Sequence, residues 1–181
     1  NTGGMGAYSP APILSEALRQ QVMDEIIQPT VETLAKEGMP YSGVLFAGLM
    51  LTETGPQLIE YNARFGDPEC QVLMMRLDTD LAALMRATAK GELGQKSAPS
   101  CSGETALSVV MAANGYPGAA EKGGKIQNLG RAERTGAKVF HAGTAEVDGT
   151  LIANGGRVLN VTALGSNTTE AQTRAYAAVD E

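Results

Sequence analysis

The spacing of apolar residues divides the chain into elements. Leu14, Leu18, Val22, Ile26, Ile27, Val31 and Leu34 recur at helical intervals as far as Gly38, a residue suited to a C-cap. Pro29 falls inside this run and predicts a kink or two abutting helices. Val44 to Leu51 (VLFAGLML) is a continuous apolar stretch of strand length, which predicts a strand buried on both faces. Turn chemistry follows over 52–57, and residues 58–65 (LIEYNARF) then alternate with period two. Ile59, Tyr61, Ala63 and Phe65 share one face of that strand, and Glu60, Asn62 and Arg64 share the other. The two runs predict an antiparallel hairpin. A turn centred on Thr54-Gly55 sets Glu60 opposite Leu49 and Asn62 opposite Ala47, with small Ala47 and Gly48 leaving room beside the polar face.

Further along, Asp67-Pro68 predicts an N-cap and first turn for a helix through Met75. Asp78 or Thr79 is then the expected cap of a second helix carrying Leu81, Leu84, Met85 and Thr88, ended by Gly91. Residues 91–103 (GELGQKSAPSCSG) are small and polar and read as a linker. Beyond them the pattern becomes strand-like: 108–113, a strand opening at Gly123-Gly124, and 138–142. Residues 151–154 and 157–164 flank Gly155-Gly156 as a predicted hairpin. Asn167 with Glu170 three residues on predicts a capping box for a final helix. The outline is α+β: residues 1–95 with helices and an antiparallel hairpin, and residues 96–181 as a small β-rich domain ending in a helix.

Composition narrows the classes of function. The chain has 181 residues, 43% hydrophobic and 19% charged, which is globular rather than disordered. A net charge of −6, with 14 Lys and Arg forming no run, argues against nucleic acid or an anionic membrane as partner. No apolar stretch approaches the roughly 20 residues of a membrane span. Cys70 and Cys101 form no CxxC and read as two free thiols in a reducing cytosol. His141, the only histidine, reads as a strand residue, which argues against histidine-dependent hydrolysis. Met74, Met75 and Met85 fit a core.

Two stretches carry candidate chemistry. The opening Asn1-Thr-Gly-Gly-Met-Gly6 can offer backbone N–H groups to an anion or be an ordinary loop; it matches neither a Walker loop nor a GxGxxG fingerprint. Glu60, Asn62 and Arg64 together span roughly 13 Å of strand. They are either a solvated polar face or a site for a hard cation and its anions, since carboxylate and amide oxygens suit Mg²⁺ better than zinc. Arg64 either pairs with Glu60 or Asp67, or balances charge on a phosphoryl group or a carboxylate.

The Glu60-x-Asn62-x-Arg64 pattern resembles the metal-binding motif of the ATP-grasp superfamily. Arg64-Phe-Gly-Asp-Pro-Glu69 is more specific. With residues 1–10 (NTGGMGAYSP), 109–113 (VVMAA), 115–118 (GYPG), 138–144 (KVFHAGT) and 154–158 (NGGRV), it resembles the glycinamide ribonucleotide synthetases (phosphoribosylamine–glycine ligases) over nearly the whole chain. That resemblance implies the second half of an ATP-grasp domain over 1–95 and the family's C-terminal domain over 96–181. It implies ATP-dependent ligation of glycine to 5-phosphoribosylamine through glycyl phosphate, an early step of purine synthesis in the cytoplasm. Glu60 and Asn62 match the Mg²⁺ (or Mn²⁺) ligands and Arg64 a catalytic charge stabiliser. Asn1, Thr2, Gly3, Gly4 and Asp67 match the substrate side. The stretch 46–49 (FAGL) supplies no second acidic ligand, unlike many ATP-grasp enzymes. The chain reads as a piece of a longer polypeptide, with the N-terminal domain and ATP lid expected upstream and no turnover expected from these residues alone. The rivals are another ATP-grasp carboxylate–amine ligase, a biotin-dependent carboxylase relative, or a non-catalytic interaction fragment.

Overall fold

The structure is a computed structural model and describes residues 2–181. Asn1, one of the expected substrate residues, lies outside them. The strands are β1 (Gly6–Ser9), β2 (Phe46–Thr52), β3 (Gly55–Asn62), β4 (Thr105–Ala112), β5 (Lys138–His141), β6 (Thr144–Val147), β7 (Thr150–Ala153) and β8 (Arg157–Gly165). The helices are α1 (Glu16–Val22), α2 (Gln28–Lys36), α3 (Glu69–Arg76), α4 (Leu81–Ala89), α5 (Leu129–Arg134) and α6 (Thr168–Val179). The fold is α+β with antiparallel sheets, and its last element is a helix. Two compact units emerge: one comprises the chain up to Pro10, 67–78 and 101–181, the other 11–66 and 79–100. Among the described residues no helix is long and apolar enough to cross a membrane.

In the first unit a four-stranded sheet runs in the order β1-β4-β8-β5. Central β8 is buried from Val158 through Ala163, because it has a strand on each side and α6 packs against it. Val161 and Ala163 share the core with Ala175 and Ala178 of α6. Close packing also needs Gly165, where an added Cβ would stand 2.5 Å from the Ala171 nitrogen. In the second face of β8, Thr162 donates to Ser108 of β4 at 2.9 Å, so a buried hydroxyl pair is satisfied internally.

Several expectations need correction here. The hairpin about Gly155-Gly156 does not form: β7 pairs with β6, while β8 pairs with β4 and β5. The β6–β7 turn is Asp148-Gly149, both at positive φ (49° and 72°), as a two-residue primed turn demands. Gly155 instead meets Gly143 backbone to backbone, and Gly156 lies beneath the Tyr116 ring; an added Cβ would approach these neighbours to 2.9 and 2.1 Å. Gly123-Gly124 opens no strand, and Lys125 makes only an isolated bridge to Ile152. Asp67 does not cap α3, whose N-cap is Pro68, because its carboxylate is held by Gln71 and Arg157. The Asn167–Glu170 box forms with a shift: Asn167 accepts from the Glu170 N–H at 3.0 Å, but Glu170 reaches Ser166.

The second unit holds α1, α2, α4 and the β2–β3 hairpin. As Pro29 predicts, the first helical run is built of two abutting helices, α1 and α2, joined by a π-helical turn. That turn spans Met23–Ile27, with the Gln28 N–H donating to the Met23 carbonyl, and α2 runs on to Gly38, which closes a Schellman cap through Met39 N–H to Leu34 O at 2.9 Å. Asp80, rather than Asp78 or Thr79, caps α4 by accepting from the Ala83 N–H at 3.1 Å; Thr79 is engaged with Ser100. Strand β2 is half-buried to exposed rather than buried on both faces, and it pairs with β3 alone.

Candidate active site

The hairpin turn lies one residue earlier than expected, with Thr52 paired to Gly55. A bulge at Ile59 then shifts the register, so that Glu60 lies opposite Gly48 and Asn62 opposite Phe46. The consequence is local space. Gly48 has no side chain, and the Glu60 Cγ sits 3.4 Å from where its Cβ would be. Asn62 Nδ2 donates to Glu60 Oε1 at 3.2 Å, which brings the two expected metal ligands together. That bond uses the amide's donor and leaves its carbonyl oxygen, with the second carboxylate oxygen, as acceptors. Two adjacent oxygen donors are the kind of set that holds a hard cation through one or two protein groups plus water and phosphate. Among the described residues no group of three or more His, Cys, Asp or Glu could hold a metal by itself.

Strand β3 is fastened from its other face. The Tyr61 hydroxyl lies 2.8 Å from Thr30 Oγ1, and it donates to the Ile26 carbonyl at 3.2 Å. Ile26 belongs to the π turn, so the irregularity beside Pro29 supplies the anchor for the strand carrying Glu60 and Asn62. Arg64 lies beyond the end of β3, in a bend, and donates to the Phe65 carbonyl at 2.8 Å. The alternation expected through Phe65 therefore stops at Asn62. Among the described residues Arg64 forms no ion pair, and its guanidinium is exposed.

A second cluster lies wholly in the first unit. Arg157, the first residue of β8, donates from Nη1 to the Gly4 carbonyl (3.0 Å) and the Asp67 carbonyl (2.7 Å), and from Nη2 to Asp67 Oδ2 (2.9 Å). Gln71 Nε2 donates to the other carboxylate oxygen at 3.2 Å. The expected substrate residues Gly4 and Asp67 thus meet at one arginine, while Thr2 and Gly3 are exposed just ahead of it. Each carboxylate oxygen retains a lone pair for a ligand. Burial, and then the nearby Asp67 charge, push the Cys70 thiol above its ordinary pKa. His141 contacts Thr144 Oγ1 at 3.1 Å at the end of β5 and joins neither cluster.

The family model for the ATP-grasp (A) domain of phosphoribosylglycinamide synthetase matches residues 1–70, and that for its C domain matches residues 106–181. The chain belongs to the phosphoribosylglycinamide synthetase family. It is 59% identical to the phosphoribosylamine–glycine ligase of Agrobacterium fabrum, over 100% of this chain and 42% of that protein. The chloroplastic phosphoribosylamine–glycine ligase of Arabidopsis thaliana is 57% identical over 100% of this chain and 35% of its own length. The crystal structure of phosphoribosylamine–glycine ligase from Thermotoga maritima superposes with a TM-score of 0.78 at 35% identity, covering 99% of this chain and 44% of that one. The chain therefore spans less than half the length of these synthetase relatives.

Two residues that hold the candidate clusters together were not singled out from sequence. Arg157 sits in the Asn154-Gly-Gly-Arg-Val158 motif, and its signals were that motif and a charged residue opening an otherwise buried strand. Tyr61 reads from alternation as an apolar-face residue; its polar handle needed the π turn to become visible.

Proposed function

We propose that this chain is part of an ATP-dependent ligase that joins glycine to 5-phosphoribosylamine. The observation that carries the proposal is the Glu60–Asn62 oxygen pair opposite Gly48, lying inside the stretch matched by the synthetase's ATP-grasp family model. The glycine carboxylate attacks the γ-phosphorus of ATP, forming glycyl phosphate and releasing ADP. The amine of phosphoribosylamine then attacks the acyl carbon, expels phosphate and loses a proton, forming the amide. Such transfers depend on positioning and on offsetting negative charge, and they need no strong base. Glu60 and Asn62 are the residues that would hold Mg²⁺ or Mn²⁺, which when bound supplies charge neutralisation at the phosphates. Arg64, extended on a bend with a single carbonyl partner, is the catalytic charge stabiliser for the transferring phosphoryl group. Thr2, Gly3, Gly4 and Asp67 contact substrate. In this reading residues 1–95 complete an ATP-grasp domain contributed in part by upstream sequence, residues 96–181 form the C-terminal domain, and the enzyme works in the cytoplasm.

The test uses the full-length chain. ADP release is expected with glycine plus phosphoribosylamine and none with bicarbonate. Glu60→Ala is expected to raise the magnesium requirement by about 10-fold or more, since losing a ligand costs at least as much as losing a group that orients one. Wild-type magnesium dependence in that variant would remove Glu60 from the metal site.

A further inference from the structure

Two arginines in the first unit grip the chain around β1. Arg76, at the end of α3, donates to Ser9 Oγ (2.7 Å), the Ser102 carbonyl (3.0 Å) and the Glu104 carbonyl (2.8 Å). Arg157 grips the other end, through the Gly4 carbonyl and both the carbonyl and carboxylate of Asp67. The two grips differ in what they hold. Arg76 ties a strand end to a connecting segment, whereas Arg157 joins the Gly-rich loop to the turn of the Arg64–Glu69 motif, two stretches far apart in sequence.

We propose that Arg157 is a positioning residue that locks the Gly-rich loop and the Asp67 turn into one preformed substrate-binding edge. This deepens the functional reading above and rests on it, since it takes Thr2–Gly4 and Asp67 as substrate contacts.

Three observations support the assignment. First, one planar guanidinium serves three acceptors with two nitrogens, a geometry that the single ammonium of lysine cannot copy. Second, the loop is shaped around that fork. Gly4 adopts φ +70°, and an added Cβ there would lie 2.3 Å from Arg157 Nη1 and 3.3 Å from the Asp67 carbonyl oxygen. Third, the base of the arginine is itself held. Gly143 N–H donates to the Arg157 carbonyl at 2.9 Å, Ala113 N–H to the Gly156 carbonyl at 2.8 Å, and the Gly143–Gly155 and Gly156–Tyr116 approaches leave no space for side chains. The glycines of the Asn154–Val158 motif thereby acquire a purpose: they seat the backbone from which Arg157 reaches the loop. The Arg157 side chain is 28% exposed and that of Asp67 43%, so the pair lies at an accessible edge where a ligand could meet it.

The test compares Arg157→Ala, Arg157→Lys, Asp67→Asn and the control Arg76→Ala in the full-length chain. Amide exchange over residues 3–6 and Michaelis constants for glycine, phosphoribosylamine and ATP are the readouts. Arg157→Ala is expected to speed loop exchange and raise KM for glycine or phosphoribosylamine about tenfold or more, with ATP KM and kcat changing about threefold or less. Arg157→Lys should fall between it and wild type. Arg76→Ala should lower Tm while leaving the substrate KM values within about twofold. Gly4→Ala combined with Arg157→Ala should be clearly less than additive, because both act on one contact. Unchanged loop exchange in Arg157→Ala, or a matching KM rise in Arg76→Ala, overturns the proposal. If Asp67→Asn raises a substrate KM and Arg157→Ala does not, the positioning role falls while the functional reading stands. If neither variant moves any substrate KM, the reading of this edge as a substrate site falls, and the proposal with it.

Discussion

Strands β3 and β8 each carry residues of a candidate site and are built on opposite plans. Strand β8 is central, with neighbours on both sides and a helix packed against it, and is buried from Val158 through Ala163. Strand β3 belongs to a two-stranded sheet, and Leu58 and Ile59 are exposed. Of the buried Val, Leu and Ala side chains, the first unit holds all but Val22 and Ala87, whereas most of the exposed large apolar residues, including Met50, Met85 and Leu93, lie in the second. Arg157 is thus aimed by a closed core, and Glu60 and Asn62 by a bulge, a glycine and one tyrosine hydroxyl. A functional side chain on a core strand inherits its position from packing. On a poorly covered hairpin, a few polar contacts must do that work.

Four experiments can break or sharpen this contrast. The largest effect is expected at Arg64, whose side chain holds only the neighbouring Phe65 carbonyl. Arg64→Ala should cost about 10²–10³ in kcat of the full-length enzyme, as loss of one charge-stabilising donor typically does, with little change in Tm. A kcat within threefold of wild type would deny it a catalytic part. Next comes a matched pair of strand truncations. Val161→Ala, at 1% exposure, should destabilise by about 2 kcal/mol in denaturant unfolding, while Ile59→Ala, at 62%, should stay within about 0.5 kcal/mol. Equal losses would mean the hairpin is as tightly packed as the core sheet.

Helix caps offer a smaller effect. Asn167 and Asp80 each accept one N–H, and either change to Ala should cost about 1 kcal/mol. The Asn167→Ala loss should appear in the global transition, and that of Asp80→Ala mainly as faster amide exchange over 81–84. The smallest concerns Glu170. Hydrogen bonds from the Ser166 side chain and backbone, with Arg174 nearby, hold its carboxyl below the ordinary glutamate value. Because the folded state is the one that lowers this pKa, the stabilisation is fully present above the ordinary range and fades as pH falls through the depressed value. Glu170→Gln should therefore lower Tm slightly at pH 7, with the gap closing in acid. A gap independent of pH would show that shape, not charge, matters there.

Much of the fold was legible along the chain. Periodicity located α2 and its Gly38 cap, turn chemistry the β2–β3 hairpin, and Asn167 the start of α6, because each depends on residues within a few positions of one another. The misread elements were those in which distant chain decides. Asp148-Gly149 is a strong hairpin signal, yet Gly155-Gly156 resembled one as well; only the pairing of β8 with β4 and β5 shows which pair turns and which merely permits close approach. Asp67 has the residue type and the following proline of a cap, and Arg157, 90 residues away, claims its carboxylate together with the neighbouring Gln71.

The same division runs through the candidate site. The sequence by itself determined the chemistry on offer: a carboxylate, an amide and a guanidinium at alternate positions, in motifs specific enough to indicate a family. Those are properties of residue type and spacing, which survive without coordinates. Tertiary structure decided which of these groups meet. The Ile59 bulge set Glu60 over Gly48, the strand's early end separated Arg64 from the alternation, and β8 brought Arg157 to Gly4 and Asp67. Register and long-range contact depend on the energy of the whole packed unit, and no local pattern encodes that sum.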